Sequence, residues 1–399
     1  MSSTGAFQYW QRTMLHAGPG TVLRLPGLFS GLGCQKVLLV SDQGLKDVGI
    51  VDKVAALFDQ QRGPGGPQLA GVYTDIAPDA ESGSIDKALK FARETGADGL
   101  LALGGGSVLD SVKLLKLALH YNVNSVRELL KSPVKIMQWP EIEYMGVPHV
   151  AVPTTAGTGA ELTFGAVVLN AELGIKHLIF SHYLEADIAV LDAHMTTGLP
   201  PMLTAATGMD ALTHAVETLG HPNTNHFAMA HAVTSAKLIQ QNLPLAVANG
   251  GDLQARQAML NASAMACNSV LADFGAAPVH NFSHAIGAVC HIHHGEANAV
   301  LLPTVMEEFA DFYVPVADRL KDAFGVESGE GREAVLACAA VVRGLLAQVN
   351  HPQDFTRHAI AESKLPEIAA AVAHDALAAF LPLPQELIET VCRRACGWS

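Results

Sequence analysis

The chain has 399 residues, 49% of them hydrophobic and 16% charged, with a formal net charge of −13. That balance excludes a disordered chain and fits a core-rich globular protein of two ordinary domains. The acidic surplus and the lack of any Lys/Arg run exclude the basic face that a nucleic acid or an anionic membrane needs, so a small-molecule partner is expected.

Residues Met1 to Arg12 lack the charged-then-apolar pattern of a signal peptide, and no apolar stretch is long and clean enough to span a bilayer. The six cysteines, Cys34, Cys267, Cys290, Cys338, Cys392 and Cys396, include no CxxC pair. Reduced thiols in a cytoplasmic protein are the expectation. The wealth of Ala, Leu and Val predicts a large core or a buried subunit interface, and hence a homo-oligomer, most simply a dimer.

Along the first half, strand and helix signals alternate. Lys36–Ser41 is a β-rich run ending at Asp42, and Gln68–Tyr73 is a weaker one. Ser84–Thr95 has helical periodicity, with Ile85, Ala88, Leu89 and Ala92 on one face. Gly99–Leu103 reads as a buried strand, and Val108–Leu119 reads as a helix after the Gly104-Gly105-Gly106-Ser107 turn. His149–Val152 and Asp187–Leu191 are further short apolar runs. This order predicts a parallel sheet with crossover helices.

Past Asp192–Pro201, which carries Gly198, Pro200 and Pro201, the character changes. Ala205–Thr218, Phe227–Gln241, Leu253–Asp273 and Glu333–Val349 read as helices. The expected division is an α/β dinucleotide-binding domain over 1–193 and an all-helical domain over 194–399.

Two features carry chemistry. The first is a set of metal-ligand types. Asp210 and His214 stand at i and i+4, as do His280 and His284, and His294 follows just before Gly295. Residues so spaced project from one face of a helix. Three imidazoles and a carboxylate suit a borderline divalent ion such as Fe(II), Zn or Ni, and Asp210 lies in an Ala-rich stretch where a buried carboxylate needs a cation.

The second is a glycine turn between a strand and a helix. Small residues at Gly104, Gly105 and Gly106 let the backbone approach a pyrophosphate, and the helix N-terminus offers free N–H groups. Ser107 is the expected N-cap. Pro153-Thr154-Thr155-Ala156-Gly157-Thr158-Gly159 follows another buried strand, with hydroxyls for a phosphate or a carboxamide. Asp42 at a strand end can accept from a ribose diol and would repel a 2′-phosphate, which favours NAD over NADP.

With the motifs GGGS, PTTAGTGAE, GMDALTHAVE and HNFSHAIGAVCHIHHGEANAVLLP in this order, most of the chain resembles the iron-containing (group III) alcohol dehydrogenase family. The resemblance implies a dehydroquinate-synthase-like fold, with an α/β nucleotide-binding domain and an all-α metal-binding domain. It implies Asp210, His214, His280 and His294 as metal ligands, with iron, zinc, manganese or nickel as the ion. His284 would face the nicotinamide and the substrate and relay a proton. Gly105, Gly106, Ser107 and Asp110 would bind the cofactor, with Thr154, Thr155, Thr158, Lys176 and Asp42 around it.

The sequence departs from the family pattern in two places. His293 stands where the family has Pro before its last His ligand, and Ala77-Pro78-Asp79-Ala80 replaces a Pro-Asn-Pro turn. Implied is metal-assisted hydride transfer between an alcohol and its aldehyde or ketone.

Rival readings are a glycerol-dehydrogenase-type enzyme, a dehydroquinate-synthase-type lyase and an inactive scaffold. Only Lys237 and Arg256 carry positive charge between Asp210 and Pro303, too few for a phosphorylated, carboxylated substrate. Phe164, Phe274 and Phe282 are candidate walls of a modestly apolar pocket.

Overall fold

The computed structural model describes residues 6–60, 63–222, 224–272 and 275–398. These fall into two compact units, one of residues 11–198 and one of residues 199–398 together with the short segment before Gln11. The division falls at Gly198/Leu199, where the sequence reading put it at 193/194. The initial segment groups with the helical unit because Asn268 Nδ2 donates to the Tyr9 hydroxyl at 2.8 Å and the Tyr9 ring stacks on Phe227.

The 11–198 unit is built on strands β1 (Met14–Ala17), β2 (Lys36–Val40), β3 (Gln68–Tyr73), β4 (Gly99–Gly104), β5 (Val134–Met137), β6 (His149–Pro153), β7 (Gly165–Asn170), β8 (Ile175–Ser181) and β9 (Ile188–Leu191). Six of them form one sheet in the order β1-β9-β6-β4-β2-β3, every pairing parallel. Parallel pairing leaves both faces to be covered, so β2, β4 and β6 are apolar nearly throughout.

The faces divide by the two-residue period of a strand. Leu38, Val40, Leu100, Ala102 and Ala151 pack on one side with helices α4 (Ser82–Thr95) and α5 (Gly106–His120). Val37, Leu39, Leu101, Leu103, Val150 and Val152 pack on the other with α1 (Leu25–Gly31) and α3 (Ile50–Gln60), and α2 (Gln43–Asp47) follows β2 directly.

A second, three-stranded sheet has the order β5-β8-β7, with β7 and β8 antiparallel. These strands and β1 had no clear period in the sequence, and β1 alternates little, with three of its four residues exposed.

The chain leaves β2 for β3 on one side and returns to β4 on the other. The carboxyl ends of β2 and β4 therefore flank a switch point, the place where doubly wound sheets take their ligands. Asp42 follows β2 at that edge and Gly105 follows β4.

The helical unit contains α6 (Pro201–Gly220), α7 (His226–Ala248), α8 (Leu253–Ala272), α9 (Pro278–Cys290) and α10 (His294–Glu308), followed by further helices that end with Gln385–Cys396. Helix α6 is buried over most of its length. Helix α10 crosses it so closely that a Cβ on Gly295 would lie 2.7 Å from the Ala206 carbonyl oxygen. Only glycine permits that approach, and the approach brings the start of α10 beside the middle of α6.

Candidate active site

Asp210 projects from α6 and is nearly fully buried. Around it the structure collects His280 from α9 and His294 from the first turn of α10. One donor atom from each of the three lies within 4.8 Å of the others. His280 Nε2 and His294 Nε2 stand 3.6 and 3.5 Å from Asp210 Oδ1. A tetrahedral ion with bonds of about 2.1 Å separates its donors by about 3.4 Å, so the spacing and the chemistry of this set fit a divalent cation.

Burial alone would raise the Asp210 pKa. The charge of His214, the hydrogen bond from His280 and the charges of His294 and His280 outweigh that, holding the carboxyl well below the usual carboxylate range.

His214 stands beside this group of three, close enough for its charge to act on Asp210. Its ring stacks on His280, with centroids 4.5 Å apart. Of the three histidines close together in the sequence, His294 is the one whose ring enters the group, while His293 precedes α10 and His291 takes a left-handed backbone conformation at φ 56°. His284 lies alongside, its ring 5.5 Å from that of His294, and its Nδ1 is 3.1 Å from Asp375 Oδ2.

The donors are oriented by residues that the motifs did not single out. Glu217 Oε2 is 2.5 Å from His280 Nδ1, while Glu217 Oε1 accepts from the backbone N–H of Val279 at 2.7 Å and of His280 at 3.1 Å. Helix α9 has no side-chain cap of its own, so a residue of α6 both caps it and fixes the ring it carries. Burial lowers the His280 pKa, but the Glu217 charge and the hydrogen bonds to Asp210 and Glu217 overcome that and push it up to about 10.

His294 Nδ1 is 3.2 Å from the Ser283 hydroxyl, which leaves Nε2 toward the group. The signal for Glu217 was present in the sequence, since Asp210, His214 and Glu217 follow at i, i+4 and i+7. Asp375 is far away in sequence and gave none.

In the 11–198 unit the glycine turn lies as expected between β4 and α5, but its cap does not. Gly105 is the N-cap and no side chain caps α5. Ser107 lies inside the helix, where its hydroxyl accepts from the backbone N–H of Asp79 at 3.0 Å. The first-turn amides of α5 are thus not consumed by a side chain.

The threonine loop packs on this turn. Thr154 N donates to the Gly104 carbonyl at 3.0 Å, and Cβ atoms on Gly105 and Gly106 would meet Thr155 at 3.3 Å and Thr158 at 2.7 Å. Asp42 caps α2 by accepting from Leu45 N at 2.9 Å. Lys176 pairs with Asp79 at 2.9 Å.

Asp110 serves the unit's own structure. One oxygen is 3.0 Å from the Nζ of buried Lys113 and the other accepts from Val167 N. Of the proposed apolar walls, Phe282 is fully buried core, Phe164 packs edge-on against Phe180 and His182, and Phe274 lies outside the described residues.

Residues 13–193 match the family described as iron-containing alcohol dehydrogenase, and residues 204–395 match the C-terminal region of the Fe-containing alcohol dehydrogenase family. Long-chain-alcohol dehydrogenase 1 of Geobacillus thermodenitrificans is 36% identical over 376 residues, 92% of this chain and 91% of that protein. The chain belongs to the iron-containing alcohol dehydrogenase family.

1,3-Propanediol dehydrogenase of Klebsiella pneumoniae is 31% identical over 386 residues, 92% and 93% of the two chains. Among solved structures, an alcohol dehydrogenase from Oenococcus oeni superposes with a TM-score of 0.88 at 26% identity, over 98% of this chain and all of that one. A 1,3-propanediol oxidoreductase gives 0.85 at 29% identity, also over 98% of this chain and 100% of that one. The fold expected from the motifs is therefore the one found, and this member of the family is an oxidoreductase of alcohols.

Proposed function

We propose that this member of the family is a metal-dependent, NAD(H)-linked dehydrogenase of small uncharged alcohols, in which Asp210, His280 and His294 hold the ion and His214 is the fourth ligand. The observation that carries the reading is the buried donor group of Asp210, His280 and His294.

When bound, the ion supplies a Lewis acid toward the substrate oxygen, and the dinucleotide supplies the hydride acceptor. The chain's residues do the rest. Glu217 and Ser283 hold the His280 and His294 rings with Nε2 toward Asp210. His284 takes and releases the proton at Nε2, its Nδ1 being held by Asp375. The uncapped amides of α5 at Gly106 and Ser107, with Gly105 before them, receive the pyrophosphate. Thr154, Thr155, Thr158 and Lys176 line the cofactor, and Asp42 accepts from the adenosine ribose.

The preference for an uncharged substrate follows from the two cations between Asp210 and Pro303. Lys237 is paired with Asp322, and Arg256, almost fully buried, donates to the Thr204 hydroxyl and to the Gly250 and Leu199 carbonyls. This weighs against a lyase acting on an anionic substrate. The reading includes a homo-oligomer, most simply a dimer, in the cytoplasm. Its support is the Ala- and Leu-rich composition and the free cysteines. Among the described residues no helix is long and apolar enough to cross a membrane.

The test is removal of metal with a chelator, then separate re-addition of Fe(II), Zn, Mn or Ni without oxygen. Oxidation of NADH and of NADPH is followed with short and medium aldehydes. Activity restored by one metal and faster with NADH is expected. Full activity in metal-free protein overturns the reading.

A further inference from the structure

Asn298 lies one turn after His294 on α10 and is fully buried. Its Nδ2 is 2.7 Å from Asp210 Oδ1, 3.2 Å from His280 Nε2 and 3.2 Å from His294 Nε2. A single amide nitrogen thus touches every atom of the donor group. It has two N–H groups and no lone pair to offer, so it acts toward these atoms only as a donor.

The other end of the same amide is unsatisfied. Asn298 Oδ1 is buried with no hydrogen-bond partner among the described residues. A buried carbonyl left unpaired is costly, and a leucine of similar size would avoid that cost. The reverse orientation would set a carbonyl oxygen against the Asp210 carboxylate, which the charge forbids. The side chain is therefore held by what its nitrogen does for Asp210.

We propose that Asn298 is a positioning residue for the metal ion. Its amide fixes the Asp210 carboxylate and keeps the three donor atoms at coordination spacing, so that the ion binds without rearrangement of the site. The inference rests on the reading of the donor group as a metal site. In the ion-free protein the amide donates to Asp210 Oδ1 and lies 3.2 Å from the Nε2 atoms of His280 and His294. With an ion bound, the imidazole lone pairs would go to it and the amide would serve Asp210 alone.

The experiment compares wild type with Asn298→Ala and Asn298→Leu in the full chain, without substrate or cofactor. Zn2+ affinity is measured by competition with a chromophoric chelator, and the visible absorption of the Co2+-loaded protein reports coordination geometry. Both variants are expected to bind Zn2+ ~10–100-fold more weakly and to show an altered Co2+ spectrum. The leucine variant, which fills the volume without polar demands, keeps the test decisive where alanine leaves a cavity that prevents folding. Affinities within about twofold of wild type, with an unchanged Co2+ spectrum, overturn the role of Asn298 while leaving the metal site intact. A wild-type protein that binds neither ion overturns the metal reading itself, and the proposal with it.

Discussion

The Glu217 carboxylate lies 2.5 Å from Nδ1 of His280, and its second oxygen receives the first backbone N–H groups of α9. One side chain therefore holds both the ring of a donor-group histidine and the helix that bears it. Glu217→Gln keeps the size and loses the charge, and its metal affinity is expected to fall ~10–100-fold as measured by chelator competition. Glu217→Ala also leaves those N–H groups buried and unmet, which costs about 1–3 kcal/mol in a denaturant titration. Wild-type metal affinity in Glu217→Gln would show that the ring is held by other means.

Asp210→Ala removes the only carboxylate of the donor group. Turnover is expected to fall to background while NADH binding, followed by fluorescence, stays close to wild type, because the residues proposed to hold the cofactor belong to the 11–198 unit. An active Asp210→Ala protein would sink the metal assignment.

Gly106→Ala places a methyl 2.7 Å from the Thr158 side chain. The threonine loop must then shift away from the start of α5, and an NADH affinity lower by about tenfold is expected. Metal content, measured by elemental analysis, should not change. A Gly106→Ala protein with unchanged NADH affinity would mean that this turn does not receive the cofactor.

Glu161 ties stability to pH. Burial pushes its carboxyl up to about 7 from an ordinary value of 4.5, with a backbone hydrogen bond and Lys113 offsetting part of the effect. Between those two pH values the folded chain binds more protons than the unfolded one, so stability falls as pH rises through the window. The loss is complete above 7, on the order of 3 kcal/mol. Glu161→Gln is therefore expected to be stabilising at about pH 8 and near neutral at about pH 4, in denaturant titrations at both values. Equal effects at both would refute the origin assigned to it.

The strands with a strong apolar run, such as Lys36–Val40, Gly99–Gly104 and His149–Pro153, were legible because a parallel strand buried on both faces must be apolar throughout. The long helices α6 and α8 were legible because composition and length settle helix existence. Strands β1, β5, β7 and β8 were not, since none carries a clean alternation and β1, β5 and β7 also sit at sheet edges.

The sequence by itself determined the fold class and the kinds of chemistry available. Both follow from local periodicity and from residue types at fixed spacing. Tertiary structure decided which atoms meet. Asp210 and His280 are 70 positions apart, yet their donor atoms are within 3.6 Å because the Gly295 approach to Ala206 and the Glu217 cap bring three helices together. It also decided that Ser107 receives the Asp79 N–H and that Asp110 holds Lys113, since a polar side chain takes the partner the fold presents to it and sequence spacing records only neighbours on the same element.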